Sequence, residues 1–246
     1  MTHQSEQQNN IQDSFNSTLI DPNLQNLSIN LAEVGIDSIL NDGLLKEIPI
    51  VSTISNLLKI GANIHDRLFL EKVLSFLSQL KDVSADKRKK VIEDIDNSKK
   101  FRIKVGKKLL YIIDTCEDYE MTELVSIVFK AYIEEKITYN EFLKTASVLQ
   151  NINKIDFDWF TKNREKHYFD LNEVGDLMHT GLFELYYEQI SVNVENETDR
   201  KVLEEANGSK YRSDVDGGVS VNLTRAGEIL LEVFCPTYKN PKTIKI

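Results

Sequence analysis

Leu171-Asn172-Glu173 through Thr180-Gly181-Leu182, and further on Val221-Asn222-Leu223-Thr224-Arg225-Ala226-Gly227, are the stretches that decide how the chain folds. The first predicts a helix from Leu171 to Leu182 that runs into a Gly-Leu turn. Glu184 to Val194 alternates weakly through Leu185, Tyr187, Ile190 and Val192, which predicts a strand. Asn207-Gly208 and Asp216-Gly217-Gly218 are turn signals, and Gly218 to Asn222 predicts a second short strand. The pattern Leu-Thr-x-x-Gly-x-x-Leu-Leu at 223–231 then opens a last helix.

Helix, strand, turn, strand, helix in this order resembles the end of a winged-helix unit. The resemblance implies binding to DNA or to protein. Its recognition helix would be Leu171 to Leu182, which carries Asp170, Glu173 and Asp176 about it and no Lys or Arg. Phosphates call for positive charge, and bases for Arg, Lys, Asn or Gln. Asn172 and His179 are the residues suited to that task, so protein contact is the expected use of this surface.

Outward from that unit, the chain is long enough at 246 residues for one large domain or two small ones. Four prolines and ten glycines favour long helices over a strand-rich fold. Residues 1–28 are rich in Asn, Gln and Ser, with apolar residues standing singly at Ile11, Phe15, Leu19, Leu24 and Leu27. Such a composition predicts a flexible, disordered tail, with a short docking helix expected around Ile29 to Leu40. Residues 29–150 read as a helical bundle domain. Pro49 suits a helix first turn, and Leu68 to Leu80 has the wide apolar face of a buried helix. Ser84 is a candidate N-cap for a helix ending at Asn97-Ser98. Thr122 to Ile133 predicts another helix, and Thr138-Tyr139-Asn140-Glu141 matches a capping box. Residues 151–246 form the winged-helix-like domain, opened by a helix that packs Trp159, Phe160 and Tyr168. The expected fold class is therefore mainly α: a helical bundle followed by a small α+β winged-helix-like domain.

Ile48-Pro49-Ile50-Val51 through His65-Asp66-Arg67-Leu68-Phe69-Leu70 to Phe76-Leu77, with Ala131 to Thr138 further on, resembles stretches of uncharacterised bacterial and prophage-borne helical proteins. The helical segment is also similar to the TerB-like bundle, without that family's paired acidic metal ligands. These resemblances imply a bacterial, cytoplasmic helical protein, in a stress-response or phage-defence setting, and supply no catalytic residue.

Charge is unevenly spread. Residues 81–110 hold eleven basic residues against five acids, net +6, which leaves −15 on the remainder of a chain of net charge −9. Lys87, Arg88, Lys89, Lys90, Lys99, Lys100, Arg102, Lys104, Lys107 and Lys108 are thus candidate anion-binding residues that could face the phosphates of nucleic acid or of a membrane surface. A solvated helix face with i,i+4 pairs explains the same pattern. None of the four histidines has metal-ligand spacing. His65-Asp66 reads as a helix start, Glu117-Asp118-Tyr119-Glu120 as an acidic loop, and Cys116 as a buried thiol in a chain with Cys235 as its other cysteine. No catalytic, cofactor or metal residues are assigned. No signal peptide and no transmembrane segment are expected, so the chain reads as cytoplasmic or peripheral to a membrane. Three functions stay open: a non-enzymatic interaction or regulatory protein working through a protein partner or self-association, a DNA-binding regulator, and a membrane-associated effector using the helices of residues 48–80.

Overall fold

A computed structural model describes residues 2–26, 47–61, 64–101, 103–166, 169–187, 191–192, 215–216 and 219–238. Its centre is a pair of helices, α3 (Ile64–Ser78) and α6 (Tyr119–Ile133), whose buried faces are lined by Leu70, Val73, Leu74 and Phe76 on one side and Val125, Val128 and Phe129 on the other. Two serines let the backbones approach. Ser126 Oγ donates to the Phe76 carbonyl at 2.5 Å, and Ser75 Oγ donates to the Tyr119 carbonyl at 2.8 Å. Each hydroxyl is satisfied by the neighbouring helix, so burying it costs little.

Around this pair lie α2 (Pro49–Gly61), α4 (Ala85–Asp96), α5 (Val105–Thr115) and α7 (Tyr139–Gln150). Their ends are set by local chemistry legible in the sequence. Pro49 opens α2. Ser84 accepts the Lys87 N–H to cap α4, and Asn97 closes it. Thr138 and Glu141 form the reciprocal capping box of α7. A run of rings, Phe15–Phe76–Phe129–Phe142, with centroids 5.1–6.1 Å apart, crosses the interior.

The N-terminus corrects the expected flexible tail. Thr2–Ile20 forms a helix, α1, followed by a 3₁₀ turn at Pro22–Asn26, and Phe15, Leu19 and Leu24 are fully buried. Ile11, Phe15 and Leu19 recur every fourth residue, so a composition poor in apolar residues still presents one narrow apolar stripe. Average composition misses this because burial depends on spacing. The docking helix expected at Ile29 to Leu40 lies outside the described residues, as do the turns at Asn207-Gly208 and Gly217-Gly218.

Past α8 (Lys154–Lys162) the chain departs from the expected Leu171–Leu182 helix. An α-helical turn, α9 (Leu171–Val174), gives way to a 3₁₀ helix at Gly175–Thr180, and Gly181 turns the chain with φ 86°. Val174, Leu177 and Thr180 are the buried residues. Their spacing of three matches 3₁₀ rather than α periodicity, and Gly175 weakens the α alternative. β1 (Phe183–Tyr187) then pairs antiparallel with β4 (Val219–Leu223), Phe183 opposite Leu223 and Leu185 opposite Val221. The short β2 (Ser191–Val192) and β3 (Val215–Asp216) pair with each other.

The last helix, α10 (Arg225–Phe234), packs on α7 and α6. Thr224 caps it by accepting the Gly227 N–H at 3.1 Å and donates its own hydroxyl to the Gly181 carbonyl at 2.7 Å. One continuous apolar cluster runs from Phe15 to Cys235, so the C-terminal unit and the bundle share a core.

Candidate functional site

The basic candidates separate once placed on helices. Ile92 and Ile95 mark the buried face of α4, and Arg88, one turn before Ile92, shares it. Arg88 is 1% exposed. Its guanidinium donates to four backbone carbonyls: Leu19 at 2.7 Å, Asp21 at 2.6 Å, Leu80 at 3.1 Å and Val83 at 2.5 Å. The planar fork suits this role, since it carries five donors in fixed directions. Burial pulls the Arg88 pKa below its ordinary value, opposed by the nearby Asp21 carboxylate. Arg88 is therefore a structural clamp and no longer a candidate anion contact.

Lys87, Lys89 and Lys90 are exposed on the other faces of α4, and Lys89 stands 4.0 Å from Glu93 in an i,i+4 pair. Lys99, Lys100, Lys104 and Lys107 are exposed at the α4–α5 junction. There Lys104 lies 3.9 Å from the Asp96 carboxylate, Lys100 sits over Phe101, and the half-buried Lys108 sits over Tyr111. Arg102 lies outside the described residues. At 1.5 Å rise per residue, the junction starting at Asp96 is roughly 9–14 Å along the helix from Lys87–Lys90. That is comparable to the screening length of about 8–10 Å at its near end and longer at its far end. The candidates thus fall into two groups, Lys87, Lys89 and Lys90 on α4 among Asp86, Glu93 and Asp94, and the lysines from Lys99 to Lys108, which follow Asp96 with no acid among them.

A groove of about 410 Å³ lies beside the first group, lined by Lys90, Asp94, Lys136, Glu141 and Arg225 among others. Its most prominent cation is already engaged. Arg225 contacts Glu141 at 3.0 Å, Glu228 at 3.4 Å and Glu232 at 2.8 Å, which raise its pKa, the hydrogen bond to Glu232 foremost. Glu141 is held below the usual carboxylate range, first by the Thr138 backbone N–H and further by Arg225. The network ties the start of α10 to the cap of α7.

The other titratable candidates resolve into structural roles. His65 lies 3.8 Å from Asp114, both well exposed. Asp118 caps α6 by accepting the Met121 N–H at 2.8 Å. The Cys116 thiol is pushed up to about 11 by burial, although Lys72 donates to the Cys116 carbonyl at 2.5 Å. Among the described residues, no group of three or more His, Cys, Asp or Glu is placed to hold a metal ion, and no helix is long and apolar enough to cross a membrane. α3, one of the helices that the membrane-associated alternative would use, is packed against α6 through Leu70, Val73, Leu74 and Phe76, as the buried-helix reading of Leu68 to Leu80 expects.

The β hairpin carries a surface that the lysine pattern drew attention away from. Pleating and register put Phe183, Leu185, Val219, Val221 and Leu223 on one face. Phe183 and Val221 are buried, whereas Leu185 is 38% and Val219 55% exposed, so the apolar face continues past the edge of the core. Tyr186, 56% exposed, stands on the opposite face with Glu184, Ser220 and Asn222. Among the described residues the outer edge of β1 has no strand against it, while β4 bridges to Phe169. The sequence signal for this surface was the alternation at Leu185 and Tyr187, visible as a strand but silent on which end leaves the core.

Compared with known protein families, with curated proteins and with solved structures, the chain matches none.

Proposed function

We propose that this chain is a non-enzymatic interaction or regulatory protein that engages a protein partner through the apolar face of its β hairpin and the outer edge of β1, which has no strand against it among the described residues. The observation that carries the reading is the exposure of Leu185 and Val219 in line with the buried Phe183 and Val221. An apolar row that leaves the core on a strand whose outer edge has no partner among the described residues is a template for added strands or packed side chains. The 3₁₀ and hairpin order is compatible with a winged-helix-like use of the unit, with protein contact in place of base reading. Glu173 and Asp176, both exposed, would repel phosphates beside it.

The test is affinity purification of the tagged chain from its source cells, beside a variant with Leu185→Lys and Val219→Lys. The proposal expects a defined partner, or a second copy of the chain, with the wild type and its loss with the variant at unchanged melting temperature. Equal recovery with both chains would overturn it. A second reading, nucleic-acid binding, rests on the exposed Lys87, Lys89 and Lys90. It requires a gel shift whose log–log salt slope falls by about one for each lysine reversed.

A further inference from the structure

We propose that the outer face of α5 and the turn before it, from Lys99 to Tyr111, dock on a membrane surface rich in anionic lipid. The face follows from the spacing. Val105, Leu109, Ile112 and Ile113 are buried and fix the inner side of α5. Lys107, Lys108 and Tyr111 stand three, four and seven residues after Lys104, so helical periodicity gathers all four on the outer side. Lys99 and Lys100 are exposed in the turn that leads into the helix. The buried side holds α5 in the bundle, so this surface is presented without any helix leaving the core.

An ordinary solvated face does not explain the pattern. Such a face interleaves its lysines with acids, as Lys89 and Glu93 do on α4. Among the described residues, Lys104 is the one of these five lysines with an acid partner, Asp96 at 3.9 Å. Lys100 and Lys108 rest instead over the rings of Phe101 and Tyr111, at 5.6 and 4.9 Å. Helix stability does not explain it either. Lys104 and Lys107 lie at the positive end of the α5 dipole, where acids are favoured and the first turn has none. Acids more than about 8–10 Å away are largely screened in physiological salt, so the chain's net charge of −9 does not cancel this patch.

The apolar members select the ligand. Ile103 and Tyr111 are each more than half exposed among the lysines. A phosphate polymer makes no use of an exposed isoleucine. A bilayer interface takes up an aliphatic side chain and a tyrosine while lysines meet the headgroup phosphates. Basic charge with apolar insertion supplies the two signals that stable peripheral binding needs.

Co-sedimentation of the full chain with vesicles tests the assignment. Vesicles of phosphatidylcholine and phosphatidylserine in equal parts should carry the chain down, and salt should release it. Vesicles of phosphatidylcholine alone should leave it in solution. Lys100→Gln with Lys107→Gln should weaken binding about 25-fold, about fivefold for each lysine, at unchanged melting temperature. Ile103→Ser should weaken it several-fold with no change in charge. Changing Lys87, Lys89 and Lys90 to Gln should weaken it less than the Lys100 and Lys107 pair does, although three charges are lost. No binding to the anionic vesicles at low salt would overturn the proposal. So would undiminished binding by the double-lysine variant or by Ile103→Ser. Binding to duplex DNA with the vesicles left bare would overturn it as well, and would assign the lysines to nucleic acid.

Discussion

Gly227→Ala is the substitution whose sign the structure decides. In an ordinary exposed helix, replacing Gly by Ala stabilises by about 1 kcal/mol, because Gly carries the larger backbone entropy. At Gly227 a Cβ would stand 2.6 Å from the Leu182 carbonyl oxygen and 3.3 Å from Leu223 Cδ2. The first contact is about 0.7 Å inside the closest ordinary C···O approach of about 3.3 Å. That oxygen cannot step aside freely, since it also accepts the Thr224 N–H at 3.0 Å. Forcing a methyl into such a site costs about 1–3 kcal/mol, which outweighs the propensity gain or cancels it. A net loss of about 1 kcal/mol, or about 2–4 °C in Tm for a chain of this length, is expected. Gly175→Ala is the control: a Cβ there meets nothing within 4 Å, so that variant should be neutral or slightly more stable. Thermal melting followed by circular dichroism compares the two. A Gly227→Ala chain more stable than wild type would refute the close approach of α10 to Leu182.

Three further outcomes follow from the placements above. Arg88→Met should cost about 1–3 kcal/mol in urea unfolding followed by Trp159 fluorescence, because the Val83 carbonyl loses its buried donor, whereas reversing Lys87, Lys89 and Lys90 to Glu should change Tm by no more than about 2 °C. Glu141 has a folded pKa below its unfolded value, so its contribution is present above the ordinary carboxylate pKa of about 4.3 and is lost as pH falls through and below it. Melting temperature should therefore drop on acidification below about pH 5, less steeply in Glu141→Gln, with Glu71, raised by burial and then by Asp118, working in the opposite direction. With the Cys116 thiol near 11 and Cys235 buried, a thiol-reactive chromophore at pH 8 should label the folded chain slowly and both cysteines rapidly after denaturation.

What the sequence made legible was local. Ser84, Thr138 with Glu141, and Pro49 act through contacts within a turn of themselves, so their spacing alone predicts the helix starts they make. The first strand was legible by its alternation and the second by the Asp216-Gly217-Gly218 turn signal that precedes it, both local features. Three things needed the third dimension. Arg88 stands between lysines and looks like one more solvated cation, yet counting back one turn from Ile92 puts it on the buried face, where the acceptors come from Leu19 and Asp21, far away in sequence. The stripe Ile11, Phe15 and Leu19 was diluted by polar neighbours, and its burial depends on a seat built by α2, α4 and α5. The expected helix at Leu171–Leu182 was set by α periodicity, where the buried spacing at Val174, Leu177 and Thr180 was three. The exposed end of the hairpin face was beyond reach in the same way, because alternation shows a face and says nothing of what covers it.

The central claim, that the hairpin is where this protein meets another, is tested most directly by a photo-activatable cross-linker placed at Val219 in living source cells. Ile155, 81% exposed and on a different element, serves as the control position. The account predicts a discrete higher-mass adduct from Val219 that is absent from Ile155 and disappears when Leu185 is changed to Lys. The same smear or the same silence from both positions would contradict it.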